Sequence, residues 1–333
     1  MAVAEPAVSF AVGAVVSLGT SWLLVSRLER IGERLDFSEA LLGMVAALAA
    51  DAPEITASIT ALAHRQNAVG AGVTIGSNVF NLAALLGLGA LVAGGIRLHR
   101  RVTALSGGTA VLIAVFCLLA VSQVVPVIGA LALVLAVLVP LTAVLAAPRL
   151  CCDTFRLPAA WRSWLVRAIN EEETELAEAI RPRRGRAPDA WVALGALAVV
   201  VAASIEMERG ATSLGAHYRI AEIVTGGLVL AAVTSLPNAV AAVYLARRGR
   251  GAAALSTAMN SNALNVAVGL LLPAAIVGLG HRSTSGLLVA GWYLGLTGVT
   301  VALAYRYRGL PRAAGGVIVA LYVLFVAAVL VWA

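Results

Sequence analysis

Two carboxylates stand in the middle of an apolar run. Asp51 and Glu54 occur in Ala49-Ala50-Asp51-Ala52-Pro53-Glu54, within the run 39–63. A carboxylate at the centre of a membrane helix costs about 2.5–3.5 kcal/mol on insertion scales. The pair therefore costs several kcal/mol, and no arginine lies at comparable depth to offset it. Their i, i+3 spacing puts both on one helix face, the arrangement of a cation site. Pro53 has no N–H for the Ala49 carbonyl, and Pro237 likewise frees the carbonyl of Val233. Such carbonyls are further oxygen ligands at a helix kink.

Neutral oxygens recur at related positions. Thr234, Ser235 and Asn238 stand where the earlier run has Ala50, Asp51 and Glu54. Ser77 and Asn81, and again Ser261 and Asn265, are one helical turn apart. The candidate metal ligands are thus Asp51, Glu54, Ser77, Asn81, Thr234, Ser235, Asn238, Ser261 and Asn265. All are hard oxygen donors, with no thiol or imidazole among them, which suits Ca²⁺ or Na⁺ better than zinc or copper. Gly72 and Gly76 form a GxxxG that reads as close helix packing beside the site.

The elements that position these groups follow from composition. Of 333 residues, 61% are apolar and 12% charged, against about 45–50% and 25% in an ordinary soluble domain. Mean hydropathy is +0.94. Too little polar sequence remains to cover a soluble core, so the chain is a multi-span membrane protein. All 24 basic residues are arginine. Without lysine there is no P-loop, Schiff-base lysine or Ser-Lys dyad. HExxH and GxSxG are absent, and none of the four histidines pairs with cysteines as in a zinc site. An enzyme is not expected, nor a resident cofactor, nor a protein partner. The net charge of +7 sits in short connectors, so membrane topology explains it better than nucleic acid does. Cys117 reads as a packing residue and Cys151 and Cys152 as free thiols at the end of a run.

The N-terminus lacks the basic start of a signal peptide, so the first run is kept as a span. Ten runs reach bilayer length, at 7–26, 39–63, 68–95, 103–122, 125–147, 190–208, 222–246, 252–279, 285–305 and 314–332. With both termini outside, twenty arginines fall on the cytoplasmic side and four on the other, a strong positive-inside signal. The long connector is then cytoplasmic, and the membrane is expected to be the plasma (inner) membrane. Its Trp161, Trp164, Leu165 and Ala168 predict an interfacial helix, and Glu171 to Glu178 a solvated acidic linker.

The connector divides the chain into 1–148, 149–189 and 190–333. A shift of 184 residues superposes Gly43 on Gly227, Pro53 on Pro237, and Ser77, Asn78 and Asn81 on Ser261, Asn262 and Asn265. Each half has five spans, an odd number, so two copies insert with opposite orientation. The expected fold is an all-α polytopic membrane protein, with ten transmembrane helices as two inverted five-helix repeats, the layout of secondary transporters.

These motifs resemble those of the cation/calcium exchanger superfamily, which includes sodium/calcium exchangers. Segments 43–87 and 227–271 look like its two alpha-repeats, each with T-S-x-P-E on one helix and G-S-N-x-x-N/D on the next. Pro53-Glu54, Gly76-Ser77-Asn78 and Asn81 match in the first copy, and Thr234-Ser235-Leu236-Pro237 and Ser261-Asn262 in the second. The resemblance implies alternating-access antiport of Ca²⁺ against Na⁺ or H⁺, with ions bound between the repeats. This chain departs from the pattern at Ala50-Asp51, at Asn238 in place of the second glutamate, and at Asn260 in place of a glycine. Asp51 is expected to compensate for Asn238, keeping two negative charges in the site. Protons are expected to compete with the metal there. Proton-coupled exchange of Ca²⁺ or Na⁺ is the alternative that keeps the same fold.

Overall fold

The computed structural model describes residues 3–35, 39–146, 160–161, 163–170, 185–247 and 251–332. Apolar chain in lipid must satisfy its backbone polar groups internally, and these residues do so almost wholly as helices. Helix α1 (Ala4–Arg34) leads to α2 (Glu39–Ala50) and α3 (Ala52–Ala63). Helices α4 (Asn67–Ala93), α5 (Arg100–Val121) and α6 (Val127–Ala146) follow. Helix α7 (Ala187–His217) opens a second series, with α8 (Glu222–Thr234) and α9 (Leu236–Arg247). Then come α10 (Gly251–Leu264, running on to Val277), α11 (Thr284–Tyr307) and α12 (Arg312–Trp332).

Among the described residues eight helices are long and apolar enough to cross a bilayer, and the bent pair α2–α3 makes a ninth. Helix α8 is shorter and is continued by α9. The all-helical expectation omits one feature. Strands β1 (Gly95–Arg97) and β2 (Gly309–Pro311) pair antiparallel, with Ile96 opposite Leu310, and so tie the end of α4 to the start of α12.

The loops sort onto two faces. On one, β1 and β2 meet, a Cβ on Gly251 would strike the Arg97 carbonyl, and the Gly185 N–H donates to the Arg30 carbonyl at 2.9 Å. We call this the arginine face. On the opposite face, Gln123 Nε2 donates to the Gly280 carbonyl at 2.8 Å, and Gly280 abuts Asn67.

The largest core cluster joins α4, α5, α10, α11 and α12 through Leu82, Ile113, Leu270, Tyr293 and Phe325, all fully buried. Cys117 is buried in it, as expected of a packing residue. Helices α1 and α7 form a separate close pair. A Cβ on Gly13 would lie 2.7 Å from Ala203 O, and one on Gly210 would lie 2.6 Å from Phe10 N. The hydroxyls of Ser17 and Ser204 meet between them at 2.6 Å. Without a hydrophobic drive between helices in lipid, close backbone approach and such polar contacts hold them together.

Within the long connector residues 163–170 are helical, as the tryptophan spacing predicts, and Ile169 packs against Met44 of α2 and Leu145 of α6. Cys151, Cys152 and the acidic run from Glu171 to Glu178 fall outside the described residues.

Candidate cation site

The site begins at a break. Pro53 ends α2 because its ring nitrogen cannot donate to Ala49. The chain turns at Asp51, with a 54° bend between α2 and α3. The freed Ala49 carbonyl finds a donor in another helix. Ser21 of α1 donates to it at 3.2 Å, which occupies one of the two lone pairs expected to serve an ion. The proline's effect is instead to place Asp51 and Glu54 at the junction, where their side chains leave the helix axis together.

Both carboxylates are buried, Asp51 at 0% and Glu54 at 1% exposure. Their hydrogen-bond donors come from the second series of helices. Asp51 Oδ1 accepts from Asn238 Nδ2 at 2.6 Å and from Ser261 Oγ at 2.8 Å. Glu54 Oε1 accepts from Ser235 Oγ, and Oε2 from Asn265 Nδ2, each at 2.5 Å. Among the described residues neither carboxylate has an ion-pair partner. Among the described residues the two carboxyl groups thus face neutral donors, and an added cation or a proton would balance the charge they carry.

Of the other predicted ligands, Asn81 and Ser77 reach this cluster, and Thr234 is buried on its own helix. Asn81 Nδ2 donates to Asn262 Oδ1 at 3.1 Å and to Ser261 Oγ at 3.4 Å. Ser77 Oγ donates back to the Val73 carbonyl while facing Glu54. Thr234 Oγ1 donates to the Leu230 carbonyl at 2.9 Å. The protons of these two hydroxyls are engaged by their own helices, and their lone pairs remain. Asp51 Oδ2, Asn81 Oδ1 and Asn265 Oδ1 are buried acceptors with no hydrogen-bond partner. Buried polar atoms are seldom left so, and unpartnered oxygens of this type are the kind of donor that a hard cation takes. Among the described residues no group of three His, Cys, Asp or Glu side chains forms.

Two features position the cluster that the sequence did not reveal. The chain turns π-helical at Leu82–Leu88, directly after Asn81, and again at Asn265–Leu271. Such wide turns are common at functional sites. Asn78 and Asn262 exchange reciprocal bonds, each Nδ2 donating to the other's carbonyl oxygen at 3.0 Å. The sequence carries a signal for this, since the two are 184 residues apart, the same shift that superposes the motifs.

Toward the opposite face the cluster is closed. Ala57 and Ala61, one and two turns beyond Glu54, pack with Val69, Val73, Met207 and Leu230. Beside them α4 meets α8 backbone to backbone. A Cβ on Gly76 would lie 2.6 Å from Gly227 Cα, and one on Gly72 would lie 2.9 Å from Gly227 N. The GxxxG therefore packs as expected, against the glycine pair Gly226–Gly227. Most of the cluster is fully buried; Asn260, on the arginine-face side of Ser261, is its most exposed member at 9%.

Comparison with known proteins adds ancestry to this geometry. The profile of the sodium/calcium exchanger protein family matches residues 6–146 and 189–331. The chain is 30% identical to the inner membrane protein YrbG of Escherichia coli K12, over 71% of its own length and 69% of that protein's. It is 34% identical over 88 residues to sodium/potassium/calcium exchanger 2 of Mus musculus, which is 26% of this chain and 13% of that one. Among solved structures, the sodium-calcium exchanger NCX_Mj superposes with a TM-score of 0.60 at 18% identity, covering 98% of this chain and 99% of the other. The H⁺/Ca²⁺ exchanger CAX superposes at 0.69 with 12% identity, covering 98% and 86%. At these identities the structures attest a shared fold.

Proposed function

This chain belongs to the sodium/calcium exchanger protein family, and from that premise we propose that it exchanges Ca²⁺ for Na⁺ at the Asp51–Glu54 cluster by alternating access. The observation that carries the reading is the pair of buried carboxylates held, among the described residues, by neutral donors that come mainly from the second series. Two negative charges are neutralised by one divalent cation, or by monovalent cations that replace it. Occupancies that exclude one another are what coupled exchange requires. Protons compete for the same oxygens, and a proton-coupled exchanger of Ca²⁺ or Na⁺ is the alternative within the family.

In this reading the ligands are Asp51, Glu54, Ser77, Asn81, Thr234, Ser235, Asn238, Ser261 and Asn265. Asp51 takes the part of a second-half carboxylate. Its Oδ1 is 2.6 Å from Asn238 Nδ2, so the charge lies one hydrogen bond from where a glutamate at 238 would put it. The chain forms ten spans in two inverted halves, 1–148 and 190–333, joined by 149–189. The reciprocal Asn78–Asn262 bonds support that arrangement, because equivalent residues meet as equals only across a twofold relation. Both termini face outward and the arginine face lies in the cytoplasm, as the arginine distribution supports. The carboxylates bind, the neutral oxygens complete the shell, and the Ala57–Val73–Met207 cluster with the Gly76–Gly227 contact closes one route while the other opens. No resident cofactor and no protein partner enter this scheme.

The test is Ca²⁺ uptake into proteoliposomes under an outward Na⁺ gradient, an outward H⁺ gradient or none, with Glu54→Gln as control. Na⁺-driven uptake lost in Glu54→Gln is the expected result. Uptake driven by protons moves the assignment to the alternative, and uptake indifferent to both gradients refutes antiport.

A further inference from the structure

A second carboxylate site lies outside the cluster. By sequence Glu208 falls at the end of a span at 190–208, but α7 runs on to His217, leaving Glu208 about 14 Å, at 1.5 Å per residue, inside the helix end. Glu206 and Glu208, two positions apart, point to different sides of the helix. Glu206 faces out and pairs with Arg209 at 3.2 Å, both side chains 56% exposed. Glu208 faces in, at 1% exposure.

Its surroundings are oxygens short of protons. Thr212 Oγ1 donates to Glu208 Oε1 at 2.9 Å and also lies 3.4 Å from Gln66 Oε1. One hydroxyl proton is thus shared by two acceptors. Glu208 Oε2 is buried with no hydrogen-bond partner among the described residues. The charged or titratable groups that act on it are His64, at the end of α3, and Arg209, which is engaged by Glu206. An ionisable residue within the membrane with no ion-pair partner among the described residues is a candidate ion path or binding place.

We propose that Glu208, Thr212 and Gln66 form a second cation site, near the face opposite the arginines, for a single hard monovalent cation such as Na⁺. A carboxylate, a hydroxyl and an amide oxygen are hard ligands, and one negative charge balances one monovalent ion. The site joins α7 to the turn between α3 and α4, beyond the Ala57–Ala61 closure from Glu54. It is therefore reached from that face while the central cluster is shut. Gln66 and Thr212 are half-buried, which gives the ion its entry.

The test is equilibrium binding of ²²Na⁺ to the purified full-length chain. The double variant Asp51→Asn with Glu54→Gln is expected to keep saturable binding of one ion, and adding Glu208→Gln to remove it. Glu206→Gln leaves it unchanged. In the otherwise native chain Glu208→Gln or Thr212→Val lowers the bound Na⁺ by one ion, which serves if the double variant does not fold. Binding that Glu208→Gln leaves intact overturns the proposal. If the double change fails to lower total binding, the central reading fails, while a loss on Glu208→Gln still upholds this one.

Discussion

Gly76→Ala tests whether the α4–α8 contact is the gate on the face opposite the arginines. A methyl group at this position would lie 2.6 Å from Gly227 Cα and 2.7 Å from its carbonyl carbon. Real Cβ atoms do not come so near, and the obstacle is backbone, which cannot rotate away. Overpacking of this kind costs about 1–3 kcal/mol. If α4 and α8 separate when the site opens toward that face, the cost falls on the closed conformer alone. A bias of that size changes the ratio of conformers by roughly 5–150-fold. The reporter is Ala57→Cys, in a chain with Cys117, Cys151 and Cys152 replaced, because Ala57 is fully buried between Glu54 and that face. An impermeant maleimide added from that side is expected to label it faster in Gly76→Ala, by a factor within that range. Gly291→Ala is the control, since nothing lies within 4 Å of a Cβ there. Unchanged labelling in a chain that still melts cooperatively would show that the glycine contact persists in both conformers.

Three further outcomes are expected. Asp51→Ser loses Ca²⁺ exchange, and Asn238→Glu added to it restores exchange, because the 2.6 Å contact lets either residue carry the charge; persistent inactivity of the double variant in the uptake assay removes the compensation idea. Ser21→Ala deprives the buried Ala49 carbonyl of its donor at 3.2 Å, which lowers stability by about 1–3 kcal/mol and shows as a lower melting temperature in detergent. Cation binding requires both carboxylates deprotonated and releases any protons they hold, so the Ca²⁺ concentration for half-maximal uptake rises as pH falls; a flat profile from mildly acid to mildly alkaline pH would refute shared binding.

The cluster was legible in the sequence because it breaks a strong rule. A carboxylate or a Ser-Asn motif stands out in a chain that is 61% apolar, and its spacing fixes the helix face it shares. Eight of the nine predicted ligands meet in one cluster for that reason, while Thr234, among the described residues, bonds within its own helix. What each atom bonds was not legible, because the partners of Asp51 and Glu54 are about 180–210 residues away. The Ala49 carbonyl read as free because Pro53 is visible locally, whereas its donor, Ser21, belongs to another helix. Glu208 was hidden by a boundary error: the polar residues of Glu206–Arg209 lowered the local hydropathy, yet α7 continues through them. The β1–β2 pairing joins segments more than 200 residues apart and is too short for alternation to reveal.

The Asn78–Asn262 pair has a consequence that symmetry alone supplies. On the two-repeat reading, opening toward one face and opening toward the other are the same arrangement with the halves exchanged. A contact that maps onto itself under that exchange has equal energy in both, so the reciprocal bonds can serve as a pivot that favours neither. The resting preference of the molecule must then reside where the halves differ. Gly72 and Gly76 correspond to Ser256 and Asn260, so a seam of bare backbone on one side answers to polar side chains on the other. Exchanging those residues between the halves would invert which face the unloaded protein keeps shut, with its ligands untouched.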